Sequence, residues 1–284
     1  MKHRTGLPFA LRLGTLLLAL LAARPAVAQT VDWVADMGRG QSGWSVTHVV
    51  ADAPGNTFVC GRFVDSLVIG AFTLRNVDTT RLGRGDGFVA RFDASGTCQW
   101  VAHIWGQNGE SPQAIALDPA GNVLVTGSYW SYDAHSGPIT VYNASAYADL
   151  FVAKLDGATG QWLWARRMGG TGDDGGALLK TDAAGDVYVA GTFASDTLRT
   201  GGNPAFLVNQ HYRANVLNEA VIAKFIGLTG QCVWATRAGV NGAGTLALDD
   251  HGHVFLAGSF TYTSADVGST VLTTYSVWSR MILV

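Results

Sequence analysis

The side chains in this sequence that could do chemistry are few, and most of them sit on glycine-rich links. Acid–base catalysis needs two carboxylates at a working separation, or one placed beside a base. Glu110 and the pair Asp173–Asp174 in "GDDGG" are the acids that fit, because they fall on equivalent links of a recurring pattern. The matching links elsewhere read "GQSG" and "VNGAG" and carry no acid, so solvated turn residues are the plainer account. His251 and His253 in "DHGHV" form a close histidine pair around a turn glycine, without the Cys, His or carboxylate spacing of a zinc site. No Asp-x-Asp-x-Asp-Gly loop offers calcium its oxygen shell. "GGTGDDGG" is not followed by the Lys-Ser/Thr of a phosphate loop, and no Gly-x-Ser-x-Gly marks a nucleophile. The expectation is a protein with no metal site and no cofactor, and not an enzyme.

Binding is better provided for. Residues 128–147 read "SYWSYDAHSGPITVYNASAY", and Tyr129, Trp130, Tyr132 and Tyr142 could form an aromatic platform for sugar rings or a partner protein. The competing account is that two or three of these rings simply cover the rim of a sheet. His211 and Tyr212 in "NQHYRANVLN" are a weaker second candidate, and Asn143 opens the glycosylation-type triplet "NAS".

Whatever positions these residues is written four times. "DAPGNTFVCG" at 52–61 returns as "DPAGNVLVTG" at 118–127, "DAAGDVYVAG" at 182–191 and "DDHGHVFLAG" at 249–258. Each copy is an Asp-x-x-Gly turn, whose Asp can cap backbone amides and whose Gly accepts positive φ, followed by a strand-like run. The repeated aspartates Asp52, Asp118, Asp182 and Asp249 are therefore turn caps, spread too widely to share an ion. A moderately apolar stretch precedes each turn. After it come a variable segment (roughly 62–85, 128–148, 192–218 and 259–275), a third strand such as "DGFVARFD", "DLFVAKLD" or "EAVIAKFI", and a fourth built around Trp100, Trp164 or Trp234. Four short strands at a constant period describe one blade of a β-propeller, each sheet burying the apolar face of the next. The fold class is all-β, a β-propeller of about four four-stranded blades. The variable segments lie on one face, where repeat proteins place function.

The units run roughly 44–105, 106–169, 170–239 and 240–284. "VDWVADMG" at 31–38 matches the Trp-containing fourth strands, with Trp33 equivalent to Trp164 and Trp234, and could close the ring against the last unit. The last unit supplies two strands and breaks off in the third, so a piece of a larger propeller is the other reading.

Residues 1–28 form a different kind of sequence, with a basic stretch, an apolar run and "AVAQ", the layout of a secretory signal cut after Ala28. Without Lys2, Arg4, Arg12 and Arg24, the chain's 19 basic residues fall to 15 against 21 acidic, a formal charge of −6. A mildly acidic domain (29–284) without basic runs argues against nucleic acid, or an anionic membrane after cleavage, as partner. Cys60, Cys98 and Cys232 fall in different repeats or strands and are expected as small buried side chains rather than a disulfide framework.

The combination "D-x-x-G-N-V-x-V-x-G", then "D-x-F-V-A-K-L-D", then "W-A" resembles the SBBP family of bacterial β-propeller repeats across nearly all of residues 31–284. The resemblance implies architecture and bacterial export to the medium or the cell surface; it supplies no catalytic residues. The function expected is an exported, non-catalytic module that binds a glycan, peptide or partner protein at its loop-bearing face. A truncated structural segment of a larger surface protein is the alternative, and a secreted polysaccharide-active enzyme a more remote one.

Overall fold

The computed structural model describes residues 33–34, 43, 45–77, 83–143, 145–209, 218–239, 241–260, 264–267, 270–273 and 280–283, with backbone alone from residue 260 onward. The expected signal at 1–28, most of 31–38 and the His211–Tyr212 candidate lie outside them.

The described elements are strands throughout. The first repeat contributes β1 (Ser45–Ala51), β2 (Thr57–Phe63), β3 (Ser66–Ile69), β4 (Phe72–Arg75), β5 (Asp86–Phe92) and β6 (Cys98–Trp105). The second follows with β7 (Glu110–Leu117), β8 (Val123–Tyr129), β9 (Asp133–Ser136), β10 (Ile139–Tyr142), β11 (Asp149–Leu155) and β12 (Trp162–Met168). In the third are β13 (Asp174–Thr181), β14 (Val187–Phe193), β15 (Thr197–Arg199), β16 (Phe206–Val208), β17 (Glu219–Phe225) and β18 (Cys232–Arg237). The fourth holds β19 (Gly242–Leu248), β20 (Val254–Phe260), β21 (Ser264–Val267), β22 (Thr270–Thr273) and β23 (Arg280–Leu283). Three antiparallel sheets have the order β1-β2-β5-β6, β7-β8-β11-β12 and β13-β14-β17-β18, and the fourth is described as β19-β20-β23. This is an all-β, propeller-like arrangement of four-stranded sheets.

The register explains the repeated phrase. In every sheet the first strand carries a bulge opposite the phrase's final glycine, with Thr47, Gln113, Ala177 or Gly244 as the extra residue. A side chain at Gly61, Gly127 or Gly191 would run into the carbonyl oxygen of Ser45, Ser111 or Gly175. At the other end of the phrase, Asp118 Oδ1 accepts the N–H groups of Ala120 and Asn122 at 2.9 and 2.8 Å, and Gly121 closes the turn at φ +81°. Asp182 does the same with Ala184 and Asp186. The first and last letters of the phrase are thus fixed by backbone geometry and the middle by core packing.

The core lies between sheets. Strand β11 is buried along its whole length because sheets cover both its faces, whereas β12, further out, is only partly buried. Neighbouring sheets are tied by recurring bonds: Trp100 Nε1 donates to Gly157 O and Trp164 Nε1 to Gly227 O, each at 3.1 Å. The indoles lie against Gly160 and Gly230, turn glycines of the following sheet. Trp33 stands in the same relation to Gly96 and stacks on Phe92, with centroids 5.9 Å apart. It thus takes the place, beside the first sheet, that Trp100 takes beside the second. On the inner strands, Thr47 Oγ1 donates to Pro112 O at 2.8 Å and Thr181 Oγ1 to Leu117 O at 2.7 Å.

The described residues of the variable segments hold further strands. Each contains a two-stranded hairpin: β3–β4, β9–β10, β15–β16 and β21–β22. In β3–β4 and β9–β10 the loops are Gly70-Ala71 and Gly137-Pro138, with φ +57° and +58° at the glycine, the first-position glycine of a type II′ turn. The three cysteines are free; burial pushes the thiols of Cys60 and Cys232 up to about 11.

Candidate functional site

Among the described hairpins, β9–β10 is the one that continues a four-stranded sheet of the framework. It adds to the edge of the first sheet, pairing Ile104 with Ser136 and Trp105 with His135, so that six strands are continuous as β1-β2-β5-β6-β9-β10. Trp105 and His135 stack with centroids 4.1 Å apart. Ala134 anchors the hairpin inward at 2% exposure.

The four aromatic residues singled out in the sequence separate here. Tyr129 is fully buried at the end of β8, edge-on to Phe151, and belongs to the core. Burial, reinforced by the Asp149 charge, holds its phenol well above the ordinary tyrosine value. Trp130 is half-buried beneath the Arg84 guanidinium, 5.0 Å from the ring centroid. Tyr132 and Tyr142 are the ones that face solvent, 71% and 60% exposed. They flank the hairpin with ring centroids 6.2 Å apart and planes at 63°. Two rings at that angle form a notch rather than a flat shelf.

Asn143 organises the backbone around the pair. Buried to 2%, it donates its N–H to Tyr132 O at 2.8 Å and its Nδ2 to Tyr147 O at 2.6 Å, while Oδ1 accepts the Ser145 N–H. Tyr147, itself 54% exposed, is thereby fixed to the same framework. This tyrosine lay within the aromatic run but was not singled out, because its position depends on a side-chain clamp four residues away. The amide of the "NAS" triplet is consumed in that clamp and buried, which removes it as a glycosylation acceptor in the folded chain.

The candidate acids have structural work. Asp174 is 2% exposed; its Oδ2 accepts from Ser195 Oγ at 2.7 Å and Gly170 N at 2.9 Å, and its Oδ1 from the N–H groups of Ala194 and Ser195. Burial raises its carboxyl to about 6 despite those bonds. Asp173 Oδ1 accepts the Ala148 N–H at 2.9 Å, and Glu110 is fully buried at the start of β7. Asp173 and Asp174 fasten the links between sheets to the variable segments. A second set of acids, unremarked in the sequence, opens each third strand: Asp86, Asp149 and Glu219 are buried and meet His103, Arg167 and Arg237 on the fourth strands at 2.7, 2.6 and 2.9 Å. The signal was present as an acid before "GF", "LF" or "AV" and a cationic type three residues after each Trp.

The class these sheets and links define is an all-β, propeller-type repeat protein whose ordered variable face presents tyrosines. No family model matches the chain. It is similar to an uncharacterized WD repeat-containing protein of Acanthamoeba polyphaga mimivirus, 24% identical over 209 residues. That match takes in 62% of this chain and 14% of the viral protein's length. A WD-repeat relative agrees with the propeller-type repeat architecture; the narrower resemblance to SBBP repeats gains no support from the comparisons.

Proposed function

We propose that this protein is an exported, non-catalytic propeller module that binds an extended segment of a partner protein in the notch between Tyr132 and Tyr142. The observation that carries this reading is the exposed, tilted tyrosine pair on a hairpin welded to the edge of the first sheet. Tyrosines offer large contact area with little rotamer entropy to lose, and a rigid support keeps that cost low. A notch of two rings at 63° accepts an inserted side chain; sugar rings stack better on a flat face. The basic and apolar leader "MKHRTGLPFALRLGTLLLALLAA" supports export, and the internal use of Asp173 and Asp174 supports a non-catalytic role. The similarity to a WD repeat-containing protein supports a binding or scaffold module.

A peptide-display selection against the purified chain, run beside a glycan array, tests the proposal. Selected peptides should lose at least about tenfold in affinity on the double substitution Tyr132→Ala, Tyr142→Ala, with the melting temperature unchanged. Peptide binding that survives the double substitution, or glycan binding that depends on it, would overturn the peptide reading.

A further inference from the structure

The four Asp-x-x-Gly turns share one backbone and differ in what meets the second carboxylate oxygen. In each, one oxygen is committed to capping. Asp249 Oδ1 accepts the N–H groups of His251 and His253 at 2.9 and 2.8 Å, and Gly252 turns the chain at φ +82°. The other oxygen is aimed at side chains. In the first three turns those side chains are donors that no metal ion can use in this form. Asp52 Oδ2 receives Asn56 Nδ2 at 2.7 Å; Asp118 Oδ2 receives Asn122 Nδ2 at 2.9 Å and Lys154 Nζ at 2.8 Å. Asp182 Oδ2 receives Tyr188 OH at 3.2 Å and Lys224 Nζ at 3.4 Å. In the fourth turn the partners are imidazoles: Asp249 Oδ2 lies 2.6 Å from His253 Nδ1 and 3.9 Å from His251 Nδ1. His251 stands where the other turns have Pro54, Ala120 and Ala184, and His253 where they have Asn56, Asn122 and Asp186.

We propose that Asp249, His251 and His253 form a surface binding site for a late first-row divalent cation, with Zn²⁺ the ion it suits best. The three side chains can bring ligand atoms within 4.8 Å of one another. Ligand bonds of 2.0–2.2 Å in a tetrahedral shell put neighbouring donors about 3.3–3.6 Å apart. The present 2.6 and 3.9 Å separations lie on either side of that range. Closing them needs only side-chain rotation, and rings 70% and 82% exposed meet little packing resistance. Two nitrogens and one carboxylate oxygen match Zn²⁺, Cu²⁺ or Ni²⁺ and are poor in oxygen for Ca²⁺ or Mg²⁺. A depression of about 360 Å³ between residues 181–184 and 248–252 borders the carboxylate, with room for the water or external ligand that completes a three-ligand site. Capping the turn uses one Asp249 oxygen and leaves the other facing both histidines.

Isothermal titration of the full chain with ZnCl₂, beside MgCl₂, tests this. One equivalent of Zn²⁺ should bind, and Mg²⁺ should not. His253→Asn restores the Asn–Asp arrangement of the second turn, so it keeps the turn, and it should weaken Zn²⁺ by roughly tenfold or more. The double substitution His251→Ala, His253→Ala should abolish that equivalent while the circular dichroism spectrum stays unchanged. Absence of Zn²⁺ binding to the unaltered chain, or an equivalent that persists with unchanged affinity in both variants, would overturn the proposal.

Discussion

The hairpins of the second and third repeats occupy the same place in their units and do different things. Both are held from inside by an apolar residue with almost no exposure, Ala134 in β9 and Leu198 in β15. Both follow the same entry, with Asn143 and Asn209 buried behind them and donating backbone N–H to Tyr132 O and Asp196 O. The difference lies outward. Strands β9 and β10 join the edge of the preceding repeat's sheet as a continuous ladder, whereas β15 and β16 form a separate two-stranded sheet that meets the end of the preceding repeat at the Gly169–Arg199 bridge. The first presents the tyrosine pair; the second exposes Phe206 and Val208, apolar and without a polar tip. A common anchor thus sets where a hairpin stands, and the outward residues set what it offers.

The comparison predicts that damage to the shared frame costs stability and damage to the presented surface costs binding. The largest effect should come from Trp164→Ala. It removes a buried indole and its bond to Gly227 O, at a cost of about 3–5 kcal/mol. Urea unfolding measures this, and a cost below about 1 kcal/mol would mean that the sheets do not depend on one another as described. Asn143→Ala should cost about 1–3 kcal/mol, since it strands the Tyr147 carbonyl and loosens the tyrosine frame. The same substitution should weaken selected peptides without touching Tyr132 or Tyr142 directly. If stability falls and binding does not, the clamp does not organise the notch.

Acid titration separates the fastened links from the capped turns. Asp174, pushed up from 3.8 to about 6 by burial, keeps its proton to higher pH in the folded chain than in the unfolded one. Its contribution to stability therefore falls as pH rises between those values and is level above them. Asp118 behaves in the opposite sense: burial raises its carboxyl, but the bonds from Lys154 and Asn122 together outweigh burial and lower it. Its contribution is present above the ordinary carboxylate range and is lost as pH falls. Asp174→Asn should make the slope of stability against pH between 3.8 and 6 less negative than in the unaltered chain, and an identical slope in the two proteins would mean that Asp174 does not titrate in this way. The smallest effect on stability belongs to Tyr132→Ala, within about 0.5 kcal/mol for so exposed a ring, even as binding falls. A larger loss would place Tyr132 in the frame and not on the surface.

Sequence periodicity alone determined that the chain is all-β and built from four copies of one unit, because a bulge opposite a glycine and a capped turn recur wherever the same sheet is made. It also named the stretch that carries the exposed tyrosines. It did not separate Tyr129 from Tyr132, which lie three residues apart. One ends a strand facing the next sheet, and the other begins a hairpin facing water. The hairpins themselves were legible in principle from Gly-Ala and Gly-Pro, yet their strands are only three or four residues long and carry too little alternation to stand out. The joining of β9 to β6, the Asn143 clamp and the convergence of Asp249 Oδ2 with two imidazoles came only from the tertiary structure. The first depends on which strands are brought side by side and the other two on how a loop or turn aims its side chains, and residue spacing alone encodes neither.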